Sequence, residues 1–370
     1  MGLHIVKRDH CPWWKRLCFY LIAIVAALLI GAVILTCIGV DPIEYFTQMF
    51  TLGTIGNRIA YKTYINYFEM FVPLALTSVA LSLAFKMRFW NIGGEGQFIV
   101  GSIMASLVAF KLGPSLPMWL TLVIMCLVAM VVAGLYGLIA GVLKVKFGTN
   151  ETLLTLMMNY IALYVLIFLG DTKADWNFFL QKHSDRPVFE QFNALAEFPS
   201  FAMENKFELN ICVILTLLIG VFIYIYLKYT KHGYEIGIVG DSIGTARYAG
   251  MKVNKIILRT VFLSAALIGL AGAFKVGTAG TLSTSITNDV GWTGIIVAWL
   301  SHLSTPMIFV TSALICVLQL GSTIAATTFA QVDSSFANML QGIILFLVLA
   351  ADFFTRFRIA RVQKGENNRG

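Results

Sequence analysis

Ten runs of this 370-residue chain are apolar, almost free of charge, and long enough to matter to a lipid bilayer. They fall at about 17–40, 67–86, 97–111, 118–143, 152–169, 208–228, 257–279, 290–303, 306–325 and 337–355. A helix of roughly 20 residues bridges a hydrocarbon core of about 30 Å. Inside that core only a helix or a closed barrel can pair every backbone N–H and C=O. The pattern predicts an all-α integral membrane protein of about ten transmembrane helices. Composition agrees: 58% of residues are apolar, and 12% are charged where about 25% is usual for soluble domains.

Two runs, 97–111 and 290–303, are short for a full crossing, and each follows a glycine-rich polar stretch. They read as half-helices or tilted segments. The first run exceeds the roughly 7–15 residues of a signal-peptide core. Thr36 before Cys37 does not fit a lipoprotein cleavage site, so 17–40 reads as a retained helix.

Positive charge gives the orientation, because cytoplasmic loops retain Lys and Arg. Of 27 such residues, seven (Arg58, Lys62, Lys111, Lys173, Lys182, Arg186, Lys206) fall in one set of connecting segments and Lys275 lies within a run. All others fall in the opposite set or the termini, which places both termini in the cytoplasm. The net charge of +8 is mostly this asymmetry and does not point to nucleic acid. The six cysteines show no metal-like spacing, and five sit within apolar runs as small hydrophobes. The whole chain, 1–370, reads as one transmembrane domain. Its excursions are a polar insertion at 171–207 outside, a loop at 229–259 inside, and a tail at 356–370 inside.

One line, MRFWNIGGEGQFIVG (Met87–Gly101), breaks the apolar pattern with polar residues and glycine. Peptide groups freed at membrane depth are tolerated only inside protein or beside a water-filled cavity, so such a break marks a translocation path. Asn91, Gly94, Ile99, Val100 and Gly101 recur at equal spacing as Asn288, Gly291, Ile296, Val297 and Ala298, an internal pseudo-repeat with two related half-helix starts. The longest inner loop is patterned too. Asp241 or Ser242 can cap a helix over Ile243–Tyr248 and Gly250 can end it. Ala246, Tyr248 and Ala249 are then expected to dock on another protein, with Arg247 and Lys252 facing acidic partners.

The stretches FWNIGGEGQFIVG, NETLLTLMMNYIA, GYEIGIVGDSIGTARYAGMKVNKIILRTVFLSAALIGLAGA and GWTGIIVAWL carry a resemblance. The chain resembles permease subunits of bacterial ABC importers for nucleosides and simple sugars, the branch served by binding lipoproteins of the basic-membrane-protein type. The resemblance implies import of nucleosides by alternating access, with riboflavin or a simple sugar as other solutes. It implies a cytoplasmic-membrane complex of an ABC ATPase, a second permease subunit (the same or a different chain) and an extracytoplasmic binding lipoprotein. It also makes Gly240, Asp241, Thr245, Ala246, Arg247, Tyr248, Gly250 and Met251 the segment that meets the ATPase. The sequence holds no GxxxxGK[ST] stretch, so ATP and Mg²⁺ belong to that partner, and no cofactor is expected here.

Candidate pathway residues are Trp90, Asn91, Glu95, Gln97, Asn159, Asn288 and Trp292. Each has a second reading. Glu95 and Gln97 can instead cap a helix near the surface, since Lys86 and Arg88 precede them closely. Asn150, Glu151 and Thr152 fit a plain helix cap, and Asn159 lies on the same face, where burial demands a partner. Trp90, Trp292 and Trp299 can stack on planar rings or anchor at an interface. Lys275 and Asp289 can pair, meet the binding protein, or in the case of Lys275 snorkel. His302 has no acidic orienter nearby in sequence, which argues against nucleophilic catalysis. A proton-coupled carrier would also explain a broken helix, but it would not need the patterned inner loop.

Overall fold

A computed structural model describes residues 2–7, 12–55, 60–202, 208–329, 331–333 and 335–362. The last residues of the predicted insertion, 203–207, and of the predicted tail, 363–370, lie outside these. In chain order the elements are β1 (Gly2–Lys7), α1 (Trp13–Ile38), α2 (Pro42–Thr51), α3 (Ala60–Lys86), α4 (Gly94–Leu112), α5 (Met118–Phe147) and α6 (Glu151–Asp171). They continue with β2 (Ser200–Ala202), β3 (Glu208–Asn210), α7 (Ile211–Tyr229), α8 (Lys231–Asp241), α9 (Ile243–Tyr248) and α10 (Val253–Ala279). The chain closes with α11 (Val290–Leu300), α12 (Thr305–Thr328), α13 (Ser335–Arg356) and β4 (Phe357–Val362). Among the described residues, nine helices are long and apolar enough to cross a membrane, and α11 is apolar but short. The protein is an all-α membrane bundle, and one of its ten predicted crossings contains a half-length helix.

Local chemistry explains where the helices start and stop. Asn150 caps α6 by accepting from the Thr152 and Leu153 amides at 3.0 and 3.2 Å, while Lys144 meets Glu151 at 2.7 Å. This is the cap reading of Asn150–Thr152. Asp41 caps α2 through the Ile43 amide, with Pro42 in the first helical turn, where its missing N–H costs nothing.

The chain divides into two compact units. One holds both ends of the chain. Here α1 lies along α13, Tyr45 of α2 bonds Ser322 and sets its ring edge-on to Phe336, and Gln319 donates to Gln341 at 2.9 Å. Strands β1 and β4 pair antiparallel in the same unit, so the two ends of the chain are neighbours.

The second unit runs from α3 to the first part of α12, and its centre is the packing of α4, α5 and α10. Apolar side chains gain little from association in lipid, so close backbone approach carries such packing. At the crossing of α4 and α10, a Cβ on Gly101 would come within 2.4 Å of the Gly269 Cα. Around this centre α3 is buried from Phe71 to Phe85. The insertion between α6 and α7 folds down onto the ends of α4 and α10. Phe110 meets Phe178, Phe179 and Phe192 edge-on, and the Phe192 and Phe198 amides donate to Gly280 and Gly277.

Candidate functional site

Residues 87–93 leave the end of α3 and run back along it before α4 begins. Gly94 packs on Leu81, about 8 Å along α3 from Lys86 at 1.5 Å per residue. The break therefore lies deeper than its basic flank, Lys86 and Arg88, suggests from sequence. Its polar groups are served from α6. Thr155 Oγ1 accepts from the Ile92 amide at 3.1 Å, Asn159 Nδ2 donates to the Ile92 carbonyl at 2.8 Å, and Asn159 Oδ1 accepts from the Gly96 amide at 2.8 Å. Asn91 and Gln97 exchange two amide bonds at 3.0 Å each and are fully buried. Their side chains hold the break together.

The second break precedes α11. From Gly280 the chain turns down through Thr281–Asp289, with Asn288 and Asp289 both left-handed (φ 42° and 57°). Gly291 then lies against Gly94, its counterpart in the pseudo-repeat. The short run expected at 97–111 is part of a 19-residue helix, α4, long enough to cross, and only α11 is half-length. Glu95 joins the starts of α4 and α11: its Oε2 accepts from the Gly291 amide at 2.8 Å, and the Thr287 hydroxyl and Trp292 amide also bond it. Free N–H groups and the helix dipole make both starts electropositive, so one carboxylate between them is favoured. Gly291 must be glycine here, because a Cβ would fall 2.3 Å from the Glu95 nitrogen.

A cavity of about 390 Å³ opens beside this junction. Glu95, Asn159, Asn288 and Trp292 line it, together with Tyr160, Leu163, Thr284, Ser285, Thr287 and Asp289. Four of the seven candidate residues are thus brought together. Trp90 is elsewhere, stacked on Trp299 with centroids 5.1 Å apart and planes 7° apart. Of the lining from 284 to 289, Asn288 and Asp289 were singled out from sequence, and Thr284, Ser285 and Thr287 were not. Their signal was the polar run TLSTSITND, which reads as a surface loop. Lys275 does not point out of the bundle. Its side chain is 18% exposed and stands 4.0 Å from Glu69 beside a second cavity of about 240 Å³, also lined by Glu197 and Glu208.

The loop between α7 and α10 is mostly helical. α9 spans the expected residues, with Ser242 as the cap, accepting from the Thr245 amide at 3.2 Å, and Gly250 left-handed beyond its end (φ 74°). Contrary to the expectation that Ala246 would dock outward, it is fully buried in a cluster with Met87, Phe89, Ile236, Val239 and Val253. A six-residue helix needs such an anchor, and the chain's own core supplies it. Gly240 packs on the Lys86 carbonyl. Asp241, Thr245, Arg247 and Gly250 are exposed, Met251 is half-buried, and Tyr248 projects at 97% exposure. Across α8 and α10, Glu235 receives Arg259 at 3.0 Å and lies 3.5 Å from His232. Burial alone would raise the Glu235 carboxyl, but the Arg259 and His232 bonds outweigh it and hold it below the ordinary 4.5.

The chain is similar to several characterised permeases. It is 29% identical over 306 residues to the nucleoside ABC transporter permease NupB of Lactococcus lactis, covering 82% of each chain. It is 28% identical over 349 residues to the guanosine ABC transporter permease NupP of Bacillus subtilis, covering 93% of this chain and 96% of that one. It is 25% identical over 366 residues to the glucose ABC transporter permease TsgB13 of Haloferax volcanii, covering 96% and 93%. No solved structure matches. Residues 63–349 match the family described as branched-chain amino acid transport system permease component, which takes in both breaks and the α8–α9 loop. The chain belongs to that family and is an ABC importer permease.

Proposed function

We propose that this chain is a permease subunit that carries nucleosides inward by ATP-driven alternating access. The observation that carries the reading is the cavity where the starts of α4 and α11 meet, joined through one packed cluster to the exposed tip of α9. Met87 and Phe89 belong both to the break and to the cluster that seats Ala246. Movement of α9 would therefore be felt at the break, where Asn159 and Glu95 hold the starts of α4 and α11. Transporters place solute at such discontinuous helices. A separate ABC ATPase, binding ATP and Mg²⁺, would meet the segment from Gly240 to Met251 through Arg247 and Tyr248. A second permease subunit would complete the path, and an extracytoplasmic binding lipoprotein would deliver solute on the side of the 171–207 insertion. In this reading the complex sits in a bacterial cytoplasmic membrane with both termini inside.

Nucleosides are favoured by what NupB and NupP are named for and by the lining, an indole beside amides and hydroxyls. The similarity to the glucose permease TsgB13 supports a sugar as the second reading. The test is uptake of radiolabelled nucleosides, riboflavin and sugars by vesicles carrying this chain with its ATPase, second permease and binding lipoprotein. ATP-dependent accumulation of nucleosides supports the reading, and accumulation of a sugar or riboflavin alone replaces the solute. Accumulation driven by a proton gradient without ATP overturns the mechanism.

A further inference from the structure

Two cavities of the second unit differ in charge. The one near the insertion sets Lys275 against Glu69, whereas the one at the α4–α11 junction is lined by Glu95 and Asp289 with no lysine, arginine or histidine among its lining residues. The available positive potential there is that of the two helix starts, and Glu95 already engages it through the Gly291 and Trp292 amides and the Thr287 hydroxyl. Asp289 does not share those bonds. It stands just before α11, the position from which a carboxylate normally caps a helix, yet its side chain makes no cap hydrogen bond. Its left-handed backbone, φ 57° after φ 42° at Asn288, is a conformation that non-glycine residues adopt at a cost. The result is an exposed carboxylate at the cavity, in electrostatic contact with a second one that is fixed.

We propose that Asp289 is a charge filter on the solute path, a step that rests on reading this cavity as that path. Glu95 is held by backbone donors, so the Asp289 carboxylate sets the sign of the field that an entering solute meets. Charges in a cleft with apolar walls act with little screening. The cavity then accepts uncharged or cationic solutes that offer hydroxyls and one flat face for Trp292. It turns away phosphate and carboxylate groups, which would face the Asp289 carboxylate and no cation. Nucleosides and neutral sugars pass this filter. Nucleotides and free amino acids, whose carboxylate finds no partner, do not. Selectivity of this kind comes from a repulsive element and needs no added attraction for the correct solute.

The test measures the field in the assembled importer without depending on what the binding lipoprotein delivers. Ser285→Cys places a thiol in the cavity lining with little change in size. Its modification rate, above that of the parental chain, is measured in proteoliposomes with methanethiosulfonates carrying either trimethylammonium or sulfonate. The cationic reagent is expected to react faster by at least about tenfold, relative to the ratio for free cysteine. Adding Asp289→Asn should lower that preference several-fold, and Asp289→Glu should keep it. A ratio equal to that of free cysteine, or one unmoved by Asp289→Asn, overturns the filter. Nucleoside uptake by the same vesicles judges the other reading separately. Lost uptake with the preference intact would remove the nucleoside reading and leave the filter, and uptake without the preference would do the reverse.

Discussion

Asn159 shows how one side chain can hold a broken helix at membrane depth. It donates to the Ile92 carbonyl and accepts from the Gly96 amide, two groups that the break would otherwise leave unpaired. Leaving buried groups unsatisfied costs about 1–3 kcal/mol each. Asn159→Ala is therefore expected to destabilise the protein by about 2–4 kcal/mol, and Thr155→Val, which leaves only the Ile92 amide without its partner, by roughly half as much. Thermal unfolding of the purified protein in detergent checks both, and equal losses would deny the two-ended role. Glu235 gives a pH-dependent counterpart. Its folded pKa is depressed, so its contribution is present above the ordinary 4.5 and is lost as pH falls through the lower folded value. Glu235→Gln should lower stability at neutral pH by no more than about 1 kcal/mol, because the network is partly exposed. The variant and the parent should converge in acid, and a constant gap down to acid pH would contradict the assignment.

At the scale of elements, α9 was legible from sequence because its determinants are local: Ser242 before it, Gly250 after it and small residues within it. Its inward anchor was not legible, because Ala246 meets Met87 and Phe89 from a distant part of the chain. The half-helix α11 was legible as a short apolar run. The descent of Thr281–Asp289 was not, since a polar run at a surface and one leading into a cavity have the same composition. What reveals it is the meeting of Gly94 with Gly291, a contact between residues nearly two hundred positions apart. Gly291→Ala forces a methyl against the Glu95 backbone, and overpacking of this kind costs about 1–3 kcal/mol. It should depress transport strongly while the chain still inserts, whereas Gly237→Ala in α8, with open space around it, should be tolerated. Equal transport by the two variants would separate the junction from function. On α9, Arg247→Glu and Tyr248→Ala alter exposed side chains, so assembly should persist while ATP hydrolysis and uptake lose their coupling. Substrate-stimulated turnover at the parental level in both would remove α9 from that role.

For the whole molecule, parity of crossings connects the termini to the half-helix. Strands β1 and β4 pair, so the two ends of the chain lie on the same side of any membrane that the helices cross. Among the described residues nine helices are long enough to cross, an odd number that by itself would leave the ends on opposite sides. An even total requires that the Thr281–Asp289 descent and α11 together make the tenth crossing. At 11 residues, α11 covers about 16 Å, roughly half of a hydrocarbon core, and the descent must supply the rest. That division of labour explains why polar backbone is tolerated there, since it lines a cavity rather than lipid. Two measurements test it together. Reporter domains fused to either terminus should both be active only in the cytoplasm. In intact cells, Gln191→Cys, in the insertion that bridges to Thr281, should react with an impermeant thiol reagent, and Ser304→Cys, just beyond α11, should react only once the membrane is opened. Labelling of both positions from outside would mean that α11 turns back without crossing, and the termini would then have to part.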